Sequence, residues 1–407
     1  VVLSTTISTN AIVQNKVSPV GMLITSGPGL SPSLLPIQGD TRFLSGYINH
    51  RGEEVVGLDL QEVAACTEAF AQAGIENIGV VSKFSTRNPT QELKIEERVK
   101  DRFKYVSLGH RLSGTLNFRR RIATTYLNAA VSNIYRQFCR SVLHFVREQG
   151  IQAPIYILKA DGGTIDIEQS VEYPVQTILS GPAASIMGVL SLVCCAEDAI
   201  ALDIGGTTTD IAILANGVPL LENLGVVIGG KKTLIRGLRT RSIGIGGDSR
   251  VKWANGQLVI GPEREGPAAA LGGPFPTPTD AMILLNRTTM GDRQKAAAAL
   301  SGLAGQMNCS VEEASNLIFD RTCQEIARHV HDFIDEINEQ PVYTIHEMLE
   351  GEKLKPVNLY IEGGPAAVMA APLGSLLHCA PHIPQHSEVA NAIGAALSRT
   401  TAEMTIL

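Results

Sequence analysis

The chain has 407 residues, enough for two or three domains with a sizeable core. At 44% hydrophobic and 18% charged, with a net charge of −6, it gives no reason to expect nucleic acid or an anionic membrane as a general partner. Its seven cysteines are an odd number without C-x-x-C spacing, which points to reduced thiols in a cytoplasmic protein and away from a disulfide framework.

The chain opens on "VVLSTT", which reads as strand, without an initiator Met; the expectation is that the natural protein begins earlier. Four apolar, β-branched runs end in glycine turns: 19–29, 154–163, 199–206 and 357–364. Such runs are strands buried on both faces, as in α/β proteins. Glycine at a strand end lets backbone approach a ligand, so four of them predict a cleft lined by strand termini. Helices are predicted over 59–73 with Gly74 as stop, 92–102 as a solvated helix, 118–149 with Gly150 as stop, and 182–193. Further helices follow over 292–303, 311–339 and 390–399. The Gly/Pro-rich segment 261–279 reads as a loop and 340–356 as a polar connector. The longest uncharged apolar stretch, about Ala183 to Ala196, is too short to span a bilayer, and no signal peptide is visible.

The most informative stretch is "IALDIGGTTTDIAIL", Ile200 to Leu214. A strand entering a Gly-Gly turn and leaving as a strand is a hairpin, and threonine suits strands. That does not explain Asp203, because a buried carboxylate is costly unless paired, hydrogen-bonded or near a metal. A phosphate loop explains it. Gly205 and Gly206 let N–H groups point at phosphate oxygens, Thr207 and Thr208 add hydroxyls, and Asp203 and Asp210 hold Mg²⁺ through water or orient an attacking water. The pattern D-x-G-G-T-x-T-D is far more specific than a glycine pair.

"LDIGGTTTDIA" resembles the phosphate motif of the actin-like ATPase superfamily, and more narrowly that of the hydantoinase/oxoprolinase family. The resemblance continues through "STTISTNAIV" (4–13), "GHRLSGTLNFRRRIATTYLNA" (109–129), "DGGTIDIEQSVEYPVQTILSGPAASIMG" (161–188), "SIGIGGDS" (242–249), "EGGPAA" (362–367) and "ANAIGAA" (390–396), in the same order. It implies a two-domain actin-like ATPase (ribonuclease H-like) α/β fold with nucleotide in an interdomain cleft. The first domain is expected over 1–198, with an inserted helical segment, and the second over 199–407. It also implies ATP and Mg²⁺ as cofactors and the opening of a cyclic amide such as 5-oxoproline or a hydantoin. N-methylhydantoinase A, 5-oxoprolinase and the β subunit of acetone carboxylase are its models. A second, hydantoinase B-like subunit is an implied partner, and homo-oligomerisation stays open. A nucleotide-binding subunit of a carboxylase-like complex and a small-molecule kinase of the superfamily are the alternatives.

The sequence departs from the family at three places. The family's first D-x-G-G-T-x-T-D loop, some tens of residues before "STT", is absent, which again suggests truncation. Arg111 stands where the family tends to have an acidic residue, and "YTIHEMLEGEKLKP" has no clear counterpart.

Other residues are weighed on both readings. Asp161 in "KADGGTID" is a turn residue or faces the cleft, and the resemblance favours the cleft. Ser180 and Gly181 cap a helix or bind an anion. Gly246 and Gly247, with Asp248, are read as phosphate or ribose contacts, and Gly363 and Gly364 as the adenosine loop. His110 is the candidate for substrate or acid–base work, against a structural histidine. Arg119, Arg120 and Arg121 bind an anion or lie on a solvated face. Pro381 and Pro384 argue against a metal site from His378, His382 and His386. Cys194 and Cys195 are expected in the core.

Overall fold

The run Val20–Thr25 is buried along its whole length and forms a strand, β2. Its side chains alternate between two helical layers, which is why it reads as continuously apolar. Val20, Met22 and Ile24 pack with Ile122, Ala129 and Ala130 of the helix Phe118–Glu148. Leu23 packs on the opposite face with Val63 and Phe70 of the helix Leu60–Gln72 and Ile95 and Val99 of the helix Thr90–Val99. Each fully buried Leu, Ile or Phe side chain contributes about 1.5–3 kcal/mol relative to exposure.

This is a computed structural model, and it describes residues 1–35, 39–222, 224–339 and 353–403. Most of the 340–356 connector therefore lies outside the described residues. The chain divides into two compact units. Unit 1 comprises Val1–Ala183, Leu221–Leu238 and Ser398–Leu407; unit 2 comprises Ala184–Leu220 and Arg239–Leu397.

Unit 1 holds β1 (Val2–Leu3), β2, β3 (Asp40–Phe43), β4 (Tyr47–Ile48), β5 (Glu54–Val56), β6 (Asn77–Ser82), β7 (Tyr105–Leu108), β8 (Tyr156–Leu158), β9 (Thr164–Asp166) and the short hairpin of β13 (Val227–Ile228) and β14 (Lys231–Lys232). A parallel sheet runs in the order β3-β2-β6-β7, and a smaller one in the order β1-β8-β9. The helix Thr90–Val99 is not solvated as expected: Gln91, Glu92, Ile95 and Val99 are buried on one face. Arg121 is also fully buried, donating to the carbonyls of Thr115, Ser82 and Lys83, while Arg120 donates to those of Leu224, Gly225 and Thr233. These two arginines cross-link backbone, and Arg119 is exposed.

Unit 2 is built on a mixed sheet. The strands β10 (Ala199–Ile204) and β11 (Thr209–Ala215) form an antiparallel hairpin, with β18 (Asn358–Glu362) parallel to β10 and β19 (Ala380–His382) parallel to β18. The order is β12-β11-β10-β18-β19, where β12 is Val218–Pro219, and β15 (Thr240–Ile243) also pairs with β11. A hairpin leading into parallel strands in this order is the ribonuclease H-like arrangement that the resemblance implies. Ile200, Leu202 and Ile204 turn one face of β10 toward Phe319, Ile326 and Val330 of the helix Val311–Asn338 and toward Met369 and Leu373 of the helix Ala366–Leu377. The other face carries Ala199, Ala201 and Asp203.

A hairpin of β16 (Val251–Ala254) and β17 (Gln257–Ile260) turns at Asn255 and Gly256, with φ 51° and 73°. Its Asn-Gly pair is a hairpin signal that the sequence carries openly. The loop 261–279 holds only a short turn at Ala269–Leu271 before a helix begins at Pro278, capped by Thr277. Cys194 is exposed and Cys195 half-buried, not core, because the helix Ser180–Leu192 ends before them. Among the described residues, no helix is long and apolar enough to cross a membrane.

Candidate functional site

The β10–β11 hairpin sets Asp203 opposite Asp210 and closes with Gly205 N–H donating to the Thr208 carbonyl at 2.9 Å. The carbonyls of Gly205 and Gly206 accept from Gly247 N–H at 3.0 Å and Asp248 N–H at 2.7 Å. These contacts leave the N–H groups of Gly206, Thr207 and Thr208 without a protein acceptor among the described residues. Unspent amides at a tight turn form a concave donor set suited to an anion.

Close approach explains the glycines. A Cβ on Gly206 would lie 2.6 Å from the Asp248 carboxylate. One on Gly246 would meet the Gly205 carbonyl oxygen at 2.6 Å, and one on Gly247 the Thr279 hydroxyl at 2.8 Å and Pro365 at 3.1 Å. Gly363 has φ +96°, and a side chain there would strike the Ile204 carbonyl. The structure thus brings Asp203, Gly205–Thr208, Asp210, Gly246, Gly247 and the Gly363–Gly364 turn together in unit 2.

Register adds a residue that the sequence reading missed. Glu362 pairs with Asp203 across β18 and β10, so Asp210, Asp203 and Glu362 share one side of the sheet. Glu362 is only 2% exposed, and neither carboxyl oxygen has a hydrogen-bond partner. Burial, and then the charge of Asp203, push its pKa up to about 8; the Ser185 hydroxyl, committed at 2.6 Å to Asp203, offsets this only in part. Burial likewise raises Asp210 to about 6, opposed by Ser242 and reinforced by Asp203. The signal for Glu362 was available: a carboxylate inside the apolar run "VNLYIEGG" raises the same question as Asp203.

No three His, Cys, Asp or Glu side chains among the described residues converge closely enough to hold a metal directly. Two facing carboxylates beside a turn with unspent amides fit Mg²⁺ instead, which is commonly held by one or two carboxylates, water and substrate phosphates.

His110 and Asp161 lie in unit 1. His110 Nδ1 is 2.6 Å from Glu92 Oε2, and the same oxygen accepts the His110 backbone N–H at 3.0 Å. Glu92 Oε1 accepts from Ser82 N–H at 2.8 Å. Asp161 occupies the β8–β9 turn, accepting from Gly163 N–H at 3.0 Å and pairing with Lys159 at 3.3 Å. Ser180 does not cap its helix: its hydroxyl donates to the Thr5 carbonyl and accepts from Thr5 N–H.

The Hydantoinase/oxoprolinase family model matches residues 121–404, and the model of that family's N-terminal region matches residues 1–103. The chain belongs to the hydantoinase/oxoprolinase family. Caprolactamase subunit alpha of Pseudomonas jessenii is 26% identical over 305 residues, covering 67% of this chain and 42% of that protein. The 5-oxoprolinase of Saccharomyces cerevisiae is 27% identical over 247 residues, covering 56% of this chain and 18% of that protein. The chain therefore spans less than half the length of these family relatives. The fold matches a nucleotide-free acetone carboxylase structure with a TM-score of 0.77 at 20% identity, over 98% of this chain and 61% of that one. It also matches the ATP-dependent caprolactamase from P. jessenii with a TM-score of 0.75 at 21% identity, over the same shares.

Proposed function

We propose that this chain is the nucleotide-binding part of an ATP-dependent enzyme that opens a cyclic amide. The observation that carries this reading is the tip of the β10–β11 hairpin, where three unspent N–H groups are bracketed by two facing carboxylates. The names of the family relatives, a 5-oxoprolinase and a caprolactamase, support the substrate class.

An unstrained lactam resists hydrolysis near neutral pH. Mg·ATP supplies a phosphoryl group whose transfer to the amide oxygen makes the carbonyl electrophilic and provides a leaving group. The chain's residues would do the positioning. The amides and hydroxyls of Gly205–Thr208 would hold the phosphate oxygens and stabilise the charge that spreads over them during transfer. Asp203 would be the residue that holds Mg²⁺ through water, and Asp210, raised to about 6, can hold or release a proton near neutrality. Gly246, Gly247, Gly363 and Gly364 would let the nucleotide lie against backbone. His110 and Asp161 are proposed for the substrate, His110 as acid or base with Glu92 fixing its ring.

The test is phosphate release from Mg·ATP by the full-length protein, with and without 5-oxoproline, hydantoin, N-methylhydantoin and caprolactam. Stimulation by one cyclic amide, lost in Asp203→Asn, supports the reading. Phosphate appearing in a stable phosphorylated product would make the protein a kinase instead. A second reading, favoured by the similarity to a subunit of caprolactamase, is that turnover needs a hydantoinase B-like partner. Nucleotide binding without turnover, restored by a copurifying subunit, would select it.

A further inference from the structure

The segment Glu263–Glu265, in the loop that leaves β17, has a charge pattern that its composition does not explain. The Glu263 carbonyl accepts from Arg250 N–H at 2.8 Å, which pins the segment beside β16. Glu263 pairs with Lys252 at 3.0 Å and Glu265 with Arg250 at 2.7 Å. The residue between them, Arg264, reaches the phosphate loop instead. Its Nη1 donates to Thr207 Oγ1 at 2.8 Å, its Nη2 pairs with Asp248 Oδ2 at 3.1 Å, and its Nε donates to the Gly266 carbonyl at 3.1 Å.

Asp248 is held in turn, with its N–H on the Gly206 carbonyl and its side chain only 16% exposed. The guanidinium is therefore fixed on two points of the loop that brackets the unspent amides. Three of its five N–H groups are engaged, and two remain to be directed at an anion. Asp203, Asp210 and Asp248 set three carboxyl groups at this turn. The loop from Asp203 to Asp210 contains no Lys or Arg of its own. A polyphosphate entering this site would meet carboxylates unless a cation were supplied from elsewhere in the fold.

We propose that Arg264 is a phosphate-contacting residue of this site, reaching from the loop after β17 to the terminal phosphate of the nucleotide. The inference rests on the phosphate-loop reading of Asp203–Asp210. Arginine suits the role because its planar donors match two phosphoryl oxygens at once and its charge persists at every working pH. Asp248 acts as its positioning residue, since it pairs with the same guanidinium that donates to Thr207. Binding the terminal phosphate makes Arg264 a discriminator between nucleoside triphosphate and diphosphate.

The experiment is calorimetric binding of ADP and of the β,γ-imido analogue of ATP to the full-length protein, its Arg264→Ala and Arg264→Lys variants, and Asp248→Asn. Thermal unfolding of each variant accompanies it. Wild type is expected to prefer the triphosphate analogue. Arg264→Ala is expected to weaken the analogue about tenfold or more while changing ADP less than about threefold, with Arg264→Lys between them. Asp248→Asn should reduce the preference without abolishing it. Equal losses for both nucleotides, or none, overturn the inference while leaving the phosphate-loop reading intact. A wild-type protein that binds neither nucleotide overturns both.

Discussion

Asp203 and Glu362 are register partners on adjacent parallel strands, and both carboxyls face the same side of the sheet. One is engaged by the Ser185 hydroxyl, and the other is buried with no hydrogen-bond partner. Two like charges on neighbouring strands cannot both be ionised cheaply, and burial together with Asp203 pushes the Glu362 carboxyl up to about 8.

Stability should therefore fall as pH rises. Glu362 goes from 4.5 in the unfolded chain to about 8 in the fold, and Asp210 from 3.8 to about 6. Between those values the native state binds more protons than the unfolded one, so stability present at low pH is lost as pH climbs through the folded values. Thermal unfolding without nucleotide and with chelator should show this decline between about pH 5 and pH 9. Glu362→Gln should flatten it, gaining on the order of 5 kcal/mol at the alkaline end and little at the acid end. An unchanged slope in the variant would mean that Glu362 is ionised in the fold.

Asp203→Asn and Asp210→Asn should separate binding from turnover. Each removes a carboxylate beside the Gly205–Thr208 turn while leaving the unspent amides in place. Nucleotide affinity should fall modestly, and amide-stimulated phosphate release by about a hundredfold or more. If either variant keeps full turnover, that carboxylate has no part in phosphoryl transfer.

Glu92 is expected to matter for folding more than His110 does. Its fully buried carboxylate accepts the backbone N–H groups of Ser82 and His110 and faces His110 Nδ1. Glu92→Ala leaves these donors buried without an acceptor, at a cost of about 3 kcal/mol. His110→Ala removes only one of the three contacts and should cost less. Denaturant titrations of both variants decide the order. Stimulated phosphate release in a folded His110→Ala variant would assign this histidine a structural role.

The strands and long helices were legible because their signals are local. The helices Phe118–Glu148 and Val311–Asn338 each end one residue before the range their periodicity predicts, and the strand–glycine runs at 199–206 and 357–364 mark the loops that meet in unit 2. What escaped depends on distant partners. Glu92 lies on a charged helix, is buried, and meets His110, eighteen residues onward. Arg264 sits in a Gly/Pro-rich loop and meets Thr207 across fifty-seven positions, a pairing that no local pattern encodes. Glu362 belongs with neither group, since its place in a buried strand was visible and only its register partner was not.

The glycines of the site should respond to alanine in a fixed order. At Gly364 a Cβ would meet nothing within 4 Å, so Gly364→Ala should leave stability near wild type and weaken only nucleotide binding, by standing between backbone and nucleotide. At Gly206 it would meet the Asp248 carboxylate at 2.6 Å, a side chain that can rotate away. Gly206→Ala should therefore fold with little loss but release Arg264 from Asp248, weakening nucleotide binding about tenfold. At Gly246 the obstacles are the backbone of Gly205 and Gly206, at 2.6 and 2.7 Å, which cannot yield without displacing the hairpin tip. Gly246→Ala should lose nucleotide binding and about 1–3 kcal/mol of stability together. Calorimetric binding and denaturant unfolding of the three variants give two independent rankings. A Gly364→Ala variant that binds nucleotide like wild type would remove that turn from the nucleotide site, and one as unstable as Gly246→Ala would contradict the open space around it.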